Sequence, residues 1–472
     1  MFKKLLCLSI SLCIIVCSLG KTRIVVDERF ELISVAFRLT GEPAFVQDVP
    51  NRYINEIDTW FSKYRDHPLI TFLNKQMDVK KNVAMSYSAV LASDIEITPK
   101  GIILDQNTET DFESNSYGYN WTAEERDRFL FLINSFYKKS RFHDFFAAHS
   151  TYYKTMESQM SELINLIDTN WFNNFFGSSY QLDYVWIVPS SGVNNYALPI
   201  NYKSGHTAHS VVIGCSMQDS NGSPIFDESD FRVLIHEICH LYNNPICLRH
   251  LNEFESICDT LFYYVGDILA ENYYGYPSSI LYEGFNRLCE FSYYKSHGKT
   301  FSWIQLRVGI EERKGFIWFD DMLAFFSAFE DNRNTYKYFE DFLPQLKSFL
   351  DQLSKDMQLY YNRFEDKFPQ VTFTFPSQGS IVNPNIDCIE IHFSKPMYPL
   401  IWYIPVEGTE KLPTDEKNKN GFWKDEYTYV YKLPSRLKPH TKYGFGVDDW
   451  LQSTERELRY HAKNFTLIFE TE

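Results

Sequence analysis

Apolar and polar residues follow one another with helical spacing over much of the chain up to about residue 365. The spacing predicts helices at 54–64 and 68–77, and Thr122 and Glu125 stand three residues apart, as in a capping box. Helical spacing continues, with interruptions, to about residue 176. Further helices are predicted at 251–274, 279–295, 318–329 and 339–364.

The most regular helical pattern lies at 229–242, where apolar side chains recur on one face. Asn243, Asn244 and Pro245 follow it directly. Because proline lacks the N–H that a helix needs, we predict that this helix ends there.

Runs rich in β-branched and aromatic residues predict strands at 23–26, 32–39, 183–188 and 209–215. We expect the last of these to be an edge strand on which an extended peptide could pair. Beyond about Pro369 the pattern changes to short alternating strands, which predict a β-sandwich. These strands are 371–375, 388–393, 427–431, 443–447 and 465–469. The predicted fold class is therefore α+β.

Charge and composition narrow the classes of function. The chain has 472 residues, a formal net charge of -15 and 17% aromatic residues. Because an acidic surface repels phosphate, we exclude nucleic acid as a partner. The abundance of aromatic rings favours large buried cores.

The first twenty residues have the pattern of a secretory signal peptide. Two lysines precede an apolar run at 5–17, and small residues before Lys21 suit cleavage there. We predict that residues 1–20 are removed on export, and lipidation at Cys17 is the alternative. No later segment is long and apolar enough to span a bilayer, so we expect no transmembrane span in the mature chain.

Six cysteines lie beyond the predicted signal peptide, and no two of them have CxxC spacing. A chain of this length does not need a disulfide scaffold, so we expect most of them to be buried as small apolar side chains. They are Cys215, Cys239, Cys247, Cys258, Cys289 and Cys388.

The strongest chemical pattern lies inside the helix predicted at 229–242. His236 and His240 are about one helical turn apart, so both imidazoles project from one face and can bind one tetrahedral zinc ion. Glu237 projects about 100° further around the helix. There its carboxylate can take a proton from a water on the metal without being a ligand. This is the HExxH pattern of zinc hydrolases.

A catalytic zinc ion commonly has three protein ligands and a water, so a third ligand is required. No later histidine has the metzincin spacing, which leaves carboxylates on later helices. Glu283 has Arg287 four residues on as an ion-pair partner, and Glu290 shares its helix face. Spacing alone does not separate these two glutamates, and Glu253 and Glu255 also remain candidates.

Other polar side chains are weaker candidates. His206 and His209 flank the strand predicted at 209–215, and Tyr242 and Tyr274 could donate hydrogen bonds to a reaction intermediate. For the two histidines a loop position without a catalytic role is the better interpretation, and for the two tyrosines a packing role is.

Three stretches resemble one known family. They are 234–245, with HExxH and a following Asn-Pro, 273–276, and 281–287, where an arginine follows a glutamate by four residues. Over roughly 25–365 the chain resembles the DUF4932 family of exported proteins, which are related to zincin peptidases of the gluzincin kind.

This resemblance implies a zincin-like fold with a Zn2+ cofactor. By the match to the family pattern, His236, His240 and Glu283 are the zinc ligands. Glu237 is the general base, and Arg287 holds the third ligand from behind.

The tail resembles a different family. A Pro-x-x-Gly turn at 376–379 precedes a strand ending in Phe-Ser-Lys-Pro-Met at 389–397, which is similar to SbsA-type bacterial Ig-like domains. Such modules usually act as spacers or as attachment modules. We therefore expect a signal peptide at 1–20, a DUF4932-like zincin region at 21–366 and an Ig-like β-sandwich at 367–472.

These expectations combine into an exported zinc-dependent metallohydrolase, a peptidase that acts on a peptide or protein substrate. It would be periplasmic, associated with the outer membrane or secreted. Its mixed α/β part would run to about residue 120 and its HExxH core over about 180–300. The alternatives are a non-catalytic surface binding or attachment protein with a vestigial metal site, and a hydrolase of a non-peptide amide. Glu237 favours catalysis, because a purely structural site has no use for a base.

Overall fold

A computed structural model describes residues 22–46, 51–80, 86–109, 121–215, 217–399, 403–414, 420–448, 451–454 and 460–472. The predicted signal peptide and Cys17 lie outside the described residues. Helices and short strands occupy largely separate stretches of the chain, which confirms the α+β class. Within the described ranges, no helix combines the length and the apolar character that crossing a membrane requires.

Helices account for most of the described chain before residue 366. They are α1 (Glu28–Thr40), α2 (Arg52–Phe61), α3 (Pro68–Lys80), α4 (Tyr87–Ser93), α5 (Ala123–Ser140), α6 (Phe142–Ala148), α7 (Ser150–Ile164), α8 (Thr169–Phe176), α9 (Glu228–Glu271), α10 (Ser279–Ser296), α11 (Phe301–Arg313), α12 (Phe319–Asp331), α13 (Leu343–Lys355) and α14 (Met357–Glu365).

The strands fall into an early group and a late group. The early strands are β1 (Arg23–Val25), β2 (Ile95–Thr98), β3 (Gly101–Leu104), β4 (Leu182–Ile187), β5 (Tyr196–Asn201) and β6 (Thr207–Ile213). The late strands are β7 (Val371–Phe375), β8 (Ile381–Val382), β9 (Cys388–Phe393), β10 (Gly421–Asp425), β11 (Thr428–Lys432), β12 (Lys442–Val447) and β13 (Phe465–Thr471).

The chain divides into two compact units. The first comprises Met1–Arg249 with Lys337–Glu340, and the second comprises His250–Tyr336 with Asp341–Glu472. Helix α9 begins in the first unit and ends in the second.

The sheet of the first unit has the strand order β1-β4-β6-β5. β1, β4 and β6 are parallel, whereas β5 runs antiparallel to β6. The edge strands are therefore β1 and β5, and our prediction that 209–215 forms an edge was wrong because β6 lies between β4 and β5. Sequence reasoning missed β5 because Pro199 lies within it. A proline is tolerated on an edge strand, where its missing N–H need not face a partner.

The predicted strand at 32–39 is also wrong, because these residues lie in the middle of α1. Every residue from Phe30 to Leu39 is buried, including three polar residues at helical spacing, and the short apolar runs between them resemble a buried strand. The helix ends are nevertheless encoded locally. Asp27 accepts a hydrogen bond from the Arg29 amide at 2.9 Å, and Gly41 has a positive φ of 79° at the C-terminal cap.

Helix α9 does not end at Pro245 as predicted but continues to Glu271. An interior proline costs a helix about 3 kcal/mol. Burial of a single large apolar side chain is worth about 1.5–3 kcal/mol. Beyond the proline, Ile246 and Phe254 are both buried. Packing on the far side of the proline therefore outweighs the hydrogen bond that the proline removes.

The late strands of the second unit form two sheets, in the orders β10-β11-β9-β7 and β12-β13-β8. Along β9, Ile389, Ile391 and Phe393 are buried, whereas the residues between them are partly exposed. Side chains from both sheets belong to one hydrophobic cluster. The predicted strands of the tail coincide closely with β7, β9, β11, β12 and β13, which confirms the alternating pattern.

The six cysteines beyond the predicted signal peptide all carry thiols and not disulfides. Five of them are buried and Cys388 is partly exposed. This confirms the expectation that they serve mainly as small apolar side chains.

Candidate metal centre

The two histidines of the HExxH pattern face each other on α9. The Nε2 atoms of His236 and His240 lie 3.2 Å apart, and the ring planes are nearly perpendicular, at 86°. Two nitrogens bound to one tetrahedral zinc ion at about 2.0 Å would lie about 3.3 Å apart. The separation of the two imidazole nitrogens therefore already fits a shared cation.

A third residue of α9 fixes the orientation of His240. The Asn244 Oδ1 atom lies 3.0 Å from His240 Nδ1 and accepts its hydrogen. A hydrogen on Nδ1 leaves the Nε2 lone pair available for a metal, which is the usual way in which an outer partner sets the tautomer of a histidine ligand. Sequence reasoning had assigned Asn244 to the end of the helix. The signal that could have revealed this role was its position four residues after His240.

The structure brings Glu283 to the two histidines. His236, His240 and Glu283 each offer one ligand atom, and these atoms all lie within 4.8 Å of one another. A zinc tetrahedron has edges of about 3.3 Å, so a bound ion would draw the three groups slightly closer. Two imidazole nitrogens and one carboxylate oxygen suit zinc, and they leave a fourth position for water. The possible metal-binding triad that we predicted is therefore present, and its geometry alone does not identify the ion.

The other candidate glutamates have different surroundings. Glu290 is buried, and its Oε1 accepts a hydrogen bond from the Tyr294 hydroxyl at 2.9 Å. Glu253 pairs with His250 at 2.7 Å, and Glu255 is exposed. Among the described residues, the carboxylate grouped with the two histidines is that of Glu283.

Arg287 lies behind Glu283 in a fully buried position, with 1% of its surface exposed. Its Nη1 donates to Glu283 Oε2 at 2.7 Å, and its Nε donates to Glu311 Oε2 at 2.6 Å. Its Nη2 donates to the Tyr274 hydroxyl at 2.9 Å. The predicted pairing of Arg287 with Glu283 is present in the structure. The Tyr274 hydroxyl therefore accepts a hydrogen bond from the guanidinium. This contact differs from the role that we considered for it, which was to donate a hydrogen bond to a reaction intermediate.

The charges around Arg287 stabilise one another. Burial opposes the charged guanidinium, yet Tyr274, Glu311 and Glu283 hold the pKa of Arg287 well above its usual range. Burial likewise works to raise the pKa of Glu311, but the positive charges of Arg287 and Lys314 lower it to about 2. Both groups are therefore ionised at neutral pH.

Glu237 is buried on α9, one residue along from His236. Burial raises the pKa of the Tyr196 phenol, and the negative charge of Glu237 raises it further. Since Tyr196 is the first residue of β5, the predicted base lies near the start of the edge strand.

Comparison with known families agrees with the predicted resemblance. A family model described as a domain of unknown function, DUF4932, matches residues 23–348. The chain belongs to the DUF4932 family. The matched range includes all three residues of the metal triad and Arg287. The comparison with curated proteins gives no significant match.

Solved structures similar to this DUF4932 protein include chains of S-layer proteins. The crystal structure of the S-layer protein rSbsC(31-844) is 13% identical, with a TM-score of 0.19, over 54% of this chain and 35% of that chain. The structure of surface layer protein SbsC, domains 1-6, is 13% identical, with a TM-score of 0.18, over 54% of this chain and 35% of that chain. The crystal structure of the N-terminal part of the bacterial S-layer protein SbsC is 14% identical, with a TM-score of 0.17, over 55% of this chain and 61% of that chain. TM-scores this low do not establish a shared fold.

The weaker candidates of the DUF4932 chain lie outside the metal triad. The Tyr242 hydroxyl donates to the Tyr180 carbonyl oxygen at 3.2 Å, and the His209 ring stacks on Tyr180 with centroids 4.2 Å apart. His206 is exposed and lies immediately before the first residue of β6. The contact of Tyr242 is typical of packing, as the sequence indicated.

Proposed function

We propose that this DUF4932 protein is a zinc-dependent metallohydrolase that cleaves peptide bonds. The observation that supports the proposal most directly is the triad of His236, His240 and Glu283, with its ligand atoms within 4.8 Å of one another. When bound, zinc would polarise the carbonyl group of the substrate and lower the pKa of a water molecule. Two nitrogens and one oxygen form the donor set of known catalytic zinc sites, and structural sites instead have four protein ligands.

The chain's own residues would supply the proton transfer and the alignment. Glu237 would accept the proton of the attacking water and pass it to the leaving amine. Asn244 would keep His240 in the tautomer whose Nε2 can bind the metal. Arg287 would hold the Glu283 carboxylate in place through its bond to Oε2.

The edge strand β5 favours an extended peptide as the substrate. The segment 107–109 already pairs at the Asn201 end of β5, and a peptide could bind the rest of this edge by backbone hydrogen bonds, as an added strand. The influence of Glu237 on the pKa of Tyr196 indicates that the base lies near the start of β5. A peptide paired along this strand would therefore have a scissile bond near the base.

We also propose that the protein acts outside the cytoplasm and that residues 1–20 direct its export. In this proposal the strands after residue 367 form an SbsA-type Ig-like module that spaces or attaches the catalytic region. Their two sheets and common hydrophobic cluster are compatible with such a module.

Zinc content and peptide cleavage together test the proposed function. We expect the wild-type protein to bind one zinc ion by elemental analysis and His236→Ala to lose it. We expect Glu237→Gln to keep the zinc and to cleave a mixed peptide library about 10²–10⁴-fold more slowly. If the wild type binds zinc but cleaves no peptide that the Glu237→Gln variant leaves intact, wild type and variant do not differ in cleavage. The peptidase proposal is then wrong. A binding or attachment protein, or a hydrolase of another amide, would then explain the site better.

A further inference from the structure

Two carboxylates on different helices share one buried guanidinium. Glu283 on α10 and Glu311 on α11 bind Nη1 and Nε of Arg287, respectively. Glu283 belongs to the metal triad, whereas Glu311 has no place in it. The side chain of Glu311 is only 5% exposed, and Lys314 Nζ lies 3.1 Å from its Oε2.

The guanidinium has little freedom to turn. Besides its two carboxylate partners, Nη2 donates to the Tyr274 hydroxyl, and Nη1 also donates to the Glu283 carbonyl oxygen at 3.0 Å. The Phe316 ring lies 4.4 Å from the guanidinium carbon. Because the guanidinium is a planar, rigid fork, the bond from Nε to Glu311 helps to fix the direction in which Nη1 points at Glu283.

The negative charge of Glu311, like its position, favours metal binding by Glu283. The negative charge of Glu311 offsets part of the positive charge of Arg287. If Glu311 were neutral, more of the positive charge of Arg287 would act on Glu283 and the metal centre. Arg287 would then repel a cation more strongly. Poor screening in a buried site makes such a change effective at the metal.

We propose that Glu311 is a positioning residue for the metal centre, acting through Arg287 to orient and charge the Glu283 carboxylate. The inference rests on the proposed metal site and adds a residue 28 positions along the chain from the ligand it positions. Outer partners of this kind commonly contribute 10–100-fold to metal affinity.

Glu312 offers a matched control on the same helix. It is also buried, at 6% exposure, and it forms an ion pair with Lys367 at 2.6 Å. Glu312→Gln therefore removes a buried, paired carboxylate without touching Arg287. We expect Glu311→Gln to bind zinc about 10–100-fold more weakly than the wild type in a chelator competition on the full chain. Glu312→Gln should bind as the wild type does.

Thermal unfolding of the zinc-free variants shows whether both remain folded. Glu311→Asp keeps the charge, so its affinity should lie between those of the wild type and Glu311→Gln. If Glu311→Gln does not fold, Glu311→Asp is compared with Glu312→Asp. Weaker zinc binding by the former supports the role of Glu311, and equal binding refutes it.

The possible failures are distinguishable. If the wild type binds no zinc, the proposed metal site is wrong and the positioning role falls with it. If the wild type binds zinc and Glu311→Gln binds it equally well, only the positioning role is wrong.

Discussion

Replacement of Arg287 by methionine should destabilise the zinc-free protein by about 3 kcal/mol at pH 7. Removing one partner of a buried ion pair commonly costs 3–5 kcal/mol, because the remaining charge is left without compensation. The pKa of Glu311 reflects the joint effect of its two cationic neighbours. It is lowered from 4.5 to about 2, and one pKa unit corresponds to about 1.4 kcal/mol, so Arg287 and Lys314 together stabilise the ionised carboxylate by about 3 kcal/mol beyond the opposing effect of burial. At 5% exposure, solvent screening reduces this little.

The same reasoning sets the pH dependence of the effect. A carboxylate with a lowered folded-state pKa stabilises the fold above its unfolded value of 4.5, and this contribution is lost as the pH falls towards 2. At pH 3.5 the contribution of Glu311 should be about 2 kcal/mol. The difference in unfolding free energy between the wild type and Arg287→Met should therefore shrink between pH 7 and pH 3.5.

Urea unfolding followed by circular dichroism, with a chelator present, measures this difference at both pH values. Arg363→Met is the control, because Arg363 pairs with Asp321 at 3.5 Å on the surface, where the two side chains are 59% and 42% exposed. That variant should lose less than about 1 kcal/mol. A loss below about 1 kcal/mol for Arg287→Met, or an equal loss at the two pH values, would refute the reasoning.

Further predictions address the metal, a helix end and a buried carboxylate. Asn244→Leu should weaken zinc binding about 10-fold by chelator competition, whereas Asn244→Asp, which retains an acceptor for His240, should weaken it less. Chelator treatment should abolish peptide cleavage, and added zinc should restore it. Gly177→Ala should lower the melting temperature, because Gly177 has a φ of +75° and an added Cβ would lie 2.6 Å from the Tyr338 ring. Glu31→Leu should cost about 2–3 kcal/mol in urea unfolding, because the Ser190 amide and two hydroxyl groups of the first unit would lose their buried acceptor.

The part of the candidate metal site that could be predicted from sequence is the part encoded within one helical turn. His236 and His240 lie on one face of α9 by spacing alone, whatever the rest of the chain does. Spacing left Glu283 and Glu290 equivalent, and resemblance to the DUF4932 family was needed to choose. The choice depends on which part of α10 faces the two histidines, and that is a matter of packing.

The errors in the fold have a common physical origin. α1 was read as a strand because it is buried all round, and β5 was missed because it contains Pro199. Local patterns report burial on one face and the conformational preference of single residues. They do not report what a segment packs against. For the same reason a helix stop was predicted at Pro245, where packing carries α9 onward.

The proposed site therefore combines two kinds of structural control. On α9, the positions of His236 and His240 and the tautomer set by Asn244 follow from contacts one turn apart, so they form as soon as the helix forms. The carboxylate ligand instead depends on a buried charge network that exists only when α10 and α11 are packed. Outer contacts on the two sides should therefore differ in what they change. Loss of the Asn244 contact should alter metal affinity with little effect on stability, whereas loss of Arg287 should lower affinity and stability together.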